Sequence, residues 1–156
     1  MKTLILYATK HGAAREVAGR ISKHFGDAVV CDLKQSDIPD PAQFGSIIIG
    51  SSIYAGMIRK EAKTFISQNK DMLLSKKLGL FLCGLDKNHG QEVYDANFPP
   101  ELLQAAKIKS SLGGIYDPKK AGAMGRFIMK IVTKNKEYSD TIDNQKIKQF
   151  AEEIQV

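Results

Sequence analysis

Cysteine is scarce in this chain of 156 residues: Cys31 and Cys83 are the two present, each in or at the end of an apolar, strand-like run. Neither sits in a Cys-x-x-Cys pair or in the Cys/His spacing of a zinc site or redox dithiol, so buried, inert thiols in a reducing compartment are expected, with no metal. No apolar run approaches the roughly 20 residues that a membrane span requires. The first residues lack a charged region followed by an apolar stretch and a small-residue cleavage site, so no signal peptide is expected. Together these absences lead us to expect a soluble, cytoplasmic protein. There is no Gly-x-Gly-x-x-Gly, which argues against a dinucleotide-binding fold, and no Gly-x-x-x-x-Gly-Lys followed by Ser or Thr, which weakens any NTPase reading. Internal repeats, low-complexity tracts and linkers are also missing, and the length suits one domain over 1–156 that buries its core without staples.

Charge is what the chain does have. Lys and Arg number 23 against 17 Asp and Glu, a formal charge of +6. That balance favours anionic partners, although a soluble surface that happens to be basic is the simpler account. Without a nucleic-acid motif or a clustered aromatic and basic surface, no nucleic-acid partner is expected.

The start of the chain carries the strongest local signal. An apolar run, Lys2-Thr-Leu-Ile-Leu-Tyr-Ala8, breaks into the loop Thr9-Lys-His-Gly-Ala-Ala14 and passes directly into a helix. A helix N-terminus has unpaired N–H donors and a partial positive charge, so strand, loop and helix in this order form a cradle for a phosphate or another small anion. Ala14, Val17, Ala18, Ile21 and Phe25 recur at helical spacing, and Gly26 is the expected C-cap.

Further along, Asp27 to Leu33 reads as a second strand, and Ser46-Ile-Ile-Ile-Gly50 as a third, covered on both faces. A loop, Ser51 to Gly56, precedes a helix carrying Ile58, Ala62, Phe65, Ile66 and Leu73. Leu78 to Cys83 is the fourth strand. A loop from Gly84 to about Phe98 follows it, and Pro99-Pro100-Glu101 opens a short helix. A fifth strand is expected over Ser110 to Tyr116, interrupted by Gly113-Gly114, then a basic amphipathic helix over 124–136 and a last helix with Ile147, Phe150, Ala151 and Ile154.

Alternating strands and helices specify an α/β fold with a parallel sheet, because parallel strands need right-handed crossovers. Five strands fit a three-layer, doubly wound sheet of order 2-1-3-4-5. Ligands in such sheets lie beyond the carboxyl ends of the strands at the switch point, here between strands 1 and 3, with the loop after strand 4 beside them.

The loops lack triad spacing and are rich in Tyr, which suits a planar ring. The chain resembles the flavodoxin-like FMN-binding domains over nearly its whole length. The residues that carry this are Lys2-Thr-Leu-Ile-Leu-Tyr7 with Thr9, Gly12 and Arg15-Glu16; Ile48-Ile-Gly-Ser-Ser-Ile53 with Gly56; and Gly125-Arg-Phe-Ile-Met-Lys-Ile131. The second and third sets are similar to the quinone-linked protoporphyrinogen dehydrogenase family of haem biosynthesis.

This resemblance implies FMN as cofactor, with its phosphate in Thr9, Lys10, His11, Gly12, Ala13 and Ala14. Where the family uses hydroxyl residues the chain has His11 and Ala14, so Thr9, Lys10 and a protonated His11 are the groups expected to compensate. Ser51, Ser52, Ile53, Tyr54 and Gly56 are expected against the flavin, Tyr54 offering its ring and Gly56 a flexible peptide. The alternative is that Tyr54 packs on the sheet edge and Gly56 only makes a turn. Gly84, Leu85 and Tyr94 are expected at the other flavin face, with His89 or the backbone near Gly84 and Leu85 closer to the ring, or Tyr94 packed on the next helix, as alternatives.

Three functions follow from the resemblance. One is an FMN oxidoreductase taking an anionic porphyrinogen, with a quinone as acceptor. Another is a one-electron carrier for a redox partner, which the basic charge disfavours because such carriers are acidic around the flavin. The remaining one is a cofactor-free binding module. The helix over 124–136 could touch the inner face of a membrane peripherally, but its apolar stripe is what any helix packed on a sheet needs, and core packing is the favoured reading.

Overall fold

The computed structural model describes residues 2–85, 90–119, 122–123, 126–127 and 138–156. Five parallel strands form the centre: β1 (Thr3–Ala8), β2 (Ala28–Asp32), β3 (Ser46–Tyr54), β5 (Lys77–Cys83) and β6 (Ile108–Ser111). Their spatial order is β2-β1-β3-β5-β6, the doubly wound order expected from the sequence, and β4 (Met57–Ile58) adds antiparallel to the end of β3. The helices are α1 (Ala13–Ser22), α2 (Lys60–Leu74), α3 (Gln91–Asn97), α4 (Pro100–Ala105) and α5 (Asn144–Gln155).

Side chains on a strand alternate between faces, and the core divides accordingly. Leu4, Leu6, Ile47, Ile49, Leu80 and Leu82 join Ala62, Ile66 and Leu73 of α2 and Leu102 of α4 on one face. Ile5, Ile48 and Phe81 meet Ala14, Val17 and Ile21 of α1 and Ile147, Phe150 and Ile154 of α5 on the other. The central strands are apolar at nearly every position because both faces are covered. Phe81 stands edge-on to Phe150, with ring centroids 6.2 Å apart. Cys83 is fully enclosed and Cys31 half-buried, and burial pushes both thiols up, in keeping with inert cysteines.

Several boundaries differ from the sequence reading. Helix α1 ends at Ser22, and Lys23 rather than Gly26 is its C-cap; Phe25 follows in a turn whose N–H bonds the Ser22 carbonyl. Strand β3 runs on through Ser51–Tyr54, and Ile58 belongs to β4, so the expected loop is a hairpin. Its two-residue turn has Ala55 at φ 52° and Gly56 at φ 75°, both in the left-handed region that type I′ hairpin turns require. Between Gly84 and Phe98 lies helix α3, so Tyr94 is helical.

The fifth strand is shorter than expected, ending at Ser111. At Gly113 (φ 89°) the chain turns away, and Ile115–Tyr116 form β7, paired antiparallel with β8 (Ser139–Asp140) in a separate two-stranded sheet. A side chain on Gly113 would strike the backbone of Thr141, so close approach as well as dihedral angle selects glycine there. Asp86, His89 and most of the helix expected over 124–136 lie outside the described residues. Of that segment, Arg126 and Phe127 are described, and Phe127 is 63% exposed rather than packed in the core. Among the described residues no helix is long and apolar enough to cross a membrane, and no group of three or more His, Cys, Asp or Glu side chains could hold a metal ion.

Candidate functional site

Parallel register brings three chain segments to one edge of the sheet. Ala8 pairs with Ser51, Ser51 with Leu82, and Ser52 with Cys83, so loop 9–12, the β3–β4 hairpin and Gly84 emerge side by side at the carboxyl ends of β1, β3 and β5. This is the switch point, where β1 and β3 lead to helices on opposite faces.

Loop 9–12 is folded by its own residues. The Gly12 N–H donates to Thr9 Oγ1 at 2.8 Å, and Gly12 takes φ 98°, a conformation that costs a residue with a side chain more. Space beside Gly12 is open, with no heavy atom within 4 Å of where a Cβ would stand. Gly12 is also the N-cap of α1, and no side chain caps the helix. The first intrahelical bond is Glu16 N–H to Gly12 O, so the N–H groups of the first turn face the loop without helical partners.

The two serines of β3 hold the neighbouring segments. Ser52 Oγ accepts the Lys10 N–H at 3.2 Å. Ser51 Oγ accepts the Arg59 N–H at 2.8 Å and donates to the Ser52 carbonyl at 2.9 Å. Thr9 and Ser52 hydroxyls act as acceptors in these bonds, which leaves their protons available to a ligand. Lys10 Nζ lies 3.5 Å from the centroid of the half-buried Tyr54 ring. His11 is exposed, and its pKa is lowered first by partial burial and then by the positive charges of Lys10 and Arg59.

The hairpin is braced from below by Asn97. Its Oδ1 accepts the Ile58 N–H at 2.9 Å, and its Nδ2 donates to the carbonyls of Gly56 at 2.9 Å and Val93 at 2.8 Å. All of the polar groups of this buried amide side chain are thus used on the hairpin and on α3.

The structure therefore brings together Thr9, Lys10, His11, Gly12, Ser51, Ser52 and Tyr54, with Gly56 at the hairpin tip. Gly84 and Leu85 stand at the end of β5, and the Gly84 N–H donates to the Gly113 carbonyl at 3.1 Å. Ile53 is half-buried and packs on the α2-side core. Ala13 and Ala14 turn their methyl groups into the α1-side core, Ala14 being fully enclosed, so neither side chain faces the loop and only their backbone N–H groups do. Tyr94 departs from its expected place. It is 5% exposed in the α2-side core, stacked on Phe98 with centroids 5.8 Å apart, and burial raises its phenol pKa. A ring enclosed by helix packing does not present a face to the loops. The protonated His11 expected from the sequence is likewise opposed, first by partial burial and then by its cationic neighbours.

Sequence reasoning missed Arg59 and Asn97. Arg59 is the N-cap of α2, three residues beyond the expected loop, and its Nε is buried without a hydrogen-bond partner among the described residues. The signal available was its position directly ahead of a helix that follows a glycine turn. Asn97 acts across 39 residues of chain and has no local signature.

Comparison with known proteins places this geometry. A family model described as "Flavodoxin domain" matches residues 4–143. No curated protein matches the sequence. Among solved structures, oxidised flavodoxin 1 from Bacillus cereus is similar over 99% of this chain and 97% of its own, with a TM-score of 0.64 and 16% identity. A flavoprotein from Lactobacillus acidophilus, in complex with FMN, is similar over 72% of this chain and 90% of its own, with a TM-score of 0.52 and 19% identity. Rubredoxin oxygen:oxidoreductase from Desulfovibrio gigas is similar over 98% of this chain but 35% of its own, with a TM-score of 0.62 and 12% identity. At such identities the likeness is one of fold.

Proposed function

The chain belongs to the flavodoxin-domain family, and on that premise we propose that it binds FMN at the β1–β3 switch point and transfers electrons through it. The observation that carries this reading is the convergence on Ser51 and Ser52. These adjacent residues fix the phosphate-type loop at Lys10 and the start of α2 at Arg59.

The residues fit the cofactor. A phosphate monoester needs donors, and the uncapped first turn of α1, the Thr9 and Ser52 hydroxyl protons and the cations Lys10 and Arg59 supply them around the open space at Gly12. Tyr54 supplies an aromatic face, provided that Lys10 leaves it or the ring approaches the other side. FMN itself contributes the redox chemistry, while the chain binds, orients and sets the local charge.

Two partners suit that site. The formal charge of +6 and the cations around the loop favour a carboxylated substrate of the porphyrinogen class with a quinone acceptor, as in the protoporphyrinogen dehydrogenases the sequence resembles. A one-electron carrier is supported equally by the fold, as the B. cereus flavodoxin is its near match in length. In either case the protein acts from solution or at the surface of a membrane through basic residues.

Absorbance spectra of purified protein, taken during stepwise reduction, test the proposal. A flavin spectrum is expected after reconstitution with FMN, and the number of reduction stages separates a one-electron carrier from a two-electron enzyme. Oxidation of a porphyrinogen by the loaded protein with a menaquinone analogue then tests the enzymatic reading. Failure to retain FMN would remove both and leave a binding module on the same fold.

A further inference from the structure

Two cationic side chains, Lys10 and Arg59, and the imidazole of His11 flank the proposed phosphate cradle, and they come from two separate segments. Lys10 and His11 belong to the loop after β1, whereas Arg59 belongs to the start of α2. Ser52 Oγ and Ser51 Oγ hold the Lys10 and Arg59 N–H groups at 3.2 and 2.8 Å, so one stretch of β3 sets the spacing of both cation-bearing backbones. After partial burial, which acts most, the charges of Lys10 and Arg59 both lower the His11 pKa, so the three groups lie within electrostatic reach of one another.

Arg59 carries a buried donor that its neighbours do not. Its Nε is buried, yet among the described residues that N–H meets no acceptor and the guanidinium has no ion-pair partner. Lys10, by contrast, rests on Tyr54. A buried donor without an acceptor and a convergence of like charges are each unfavourable, and an anion with several acceptor oxygens relieves both. A guanidinium also meets phosphate oxygens with a planar fork, which an ammonium lacks.

We infer that Arg59 is the principal counter-charge for the phosphate of the bound flavin, reaching it from α2 across the β1 loop, and that it sets the preference for phosphorylated over unphosphorylated flavin. The inference rests on the proposed FMN site. In this arrangement the α1 N–H groups and hydroxyls position the phosphate, Arg59 supplies the fixed charge, and Lys10 adds a movable one.

The test is equilibrium titration of the apoprotein with FMN and with riboflavin, in low and high salt, for the wild type and for Arg59→Gln and Arg59→Lys. Wild-type protein should favour FMN, and salt should weaken FMN binding but not riboflavin binding. Arg59→Gln should lose about tenfold or more in FMN affinity, since a charge-assisted bond is worth at least about one decade. Its riboflavin affinity should stay within about twofold of wild type, and Arg59→Lys should recover part of the FMN loss. An unchanged FMN-to-riboflavin ratio in Arg59→Gln overturns the inference while leaving the flavin site standing. So does a parallel loss of both ligands, which would mark a structural role. Wild-type protein that binds both flavins equally overturns the inference alone, and protein that binds neither overturns the FMN reading with it.

Discussion

The ammonium of Lys10 sits over the face of Tyr54, 3.5 Å from the ring centroid, so the loop after β1 is fastened to the hairpin after β3 by a cation–π contact. The same two segments are joined by the Lys10 N–H to Ser52 bond. A contact of this kind at an exposed site contributes about 0.5–1 kcal/mol. Tyr54→Leu should therefore lower unfolding free energy by no more than about 1 kcal/mol in urea titrations. If the ring is a platform for the flavin, the same substitution weakens FMN binding by roughly two- to tenfold, because aromatic pairs add roughly 0.5–1.5 kcal/mol beyond area burial. An unaltered FMN affinity would show that Tyr54 only packs on the sheet edge.

His11 gives the pH prediction. Its pKa in the folded chain is lowered from the usual 6.5 by burial, Lys10 and Arg59, so the unfolded chain takes up the proton first as pH falls. Stability associated with His11 is complete above the unfolded pKa and is lost as pH falls through 6.5 toward the folded value. A histidine ring NMR titration should give an apparent pKa below 6.5 for His11, moving upward in Lys10→Gln and again on adding FMN, whose phosphate reverses the sign of the local charge. A pKa at or above 6.5 in the free protein would contradict the arrangement of these three groups.

Much of this fold is legible in the sequence because its signals are local or periodic. The apolar runs Leu4–Ala8, Ile47–Ile49 and Leu78–Cys83 announce two-sided burial, and Ile147, Phe150 and Ile154 lie at the helical spacing that places them in the core. Misread boundaries occur where tertiary contacts override such signals. Ile58 looks helical by spacing, but Asn97 fixes its N–H in a hairpin, and Tyr94 looks like a loop tyrosine until α3 carries it into the core. In the site, the β1 loop was legible from strand, glycine and helix in order. Arg59 was not, because its role depends on which serine holds its N–H and on an Nε left without an acceptor.

Ala55 is strained and can be relieved. It takes φ 52° at the first central position of the type I′ turn, where a residue with a Cβ is disfavoured by roughly 1–2 kcal/mol. Ala55 is exposed, so side-chain packing does not oppose a change. Ala55→Asn, whose residue tolerates this region, should raise stability by about 0.5–1 kcal/mol. Thermal or urea unfolding measures it, and a neutral or negative change would mean that the turn is not strained.

Gly50 should be among the least tolerant positions. A Cβ there would overlap the Phe81 ring, which is fully buried and locked edge-on against Phe150. Gly50→Ala should destabilise by about 3 kcal/mol or more, at the upper end of overpacking effects. Adding Phe81→Leu removes the obstruction, so the double variant should lose less than the sum of the two single variants. Simple additivity in urea denaturation would place the penalty elsewhere than in this contact.

Asn97 supports the hairpin that carries Tyr54 and Gly56, and it does so with both ends of its amide. Asn97→Ala leaves the buried Ile58 N–H without an acceptor, which costs about 1–3 kcal/mol beyond the lost packing. Hydrogen exchange at Ile58 should speed up in that variant, and FMN binding should weaken, because Tyr54 is positioned through the same turn. Asn97→Asp separates acceptance from donation. A carboxylate still accepts from Ile58 but turns its other oxygen on the Gly56 and Val93 carbonyls, which the native amide serves as donor. Its folded-state pKa should therefore be raised, so this variant should be markedly destabilised at neutral pH and regain stability as the pH falls and the carboxyl becomes a donor. Destabilisation that does not change with pH would show that the Nδ2 bonds to Gly56 and Val93 contribute little.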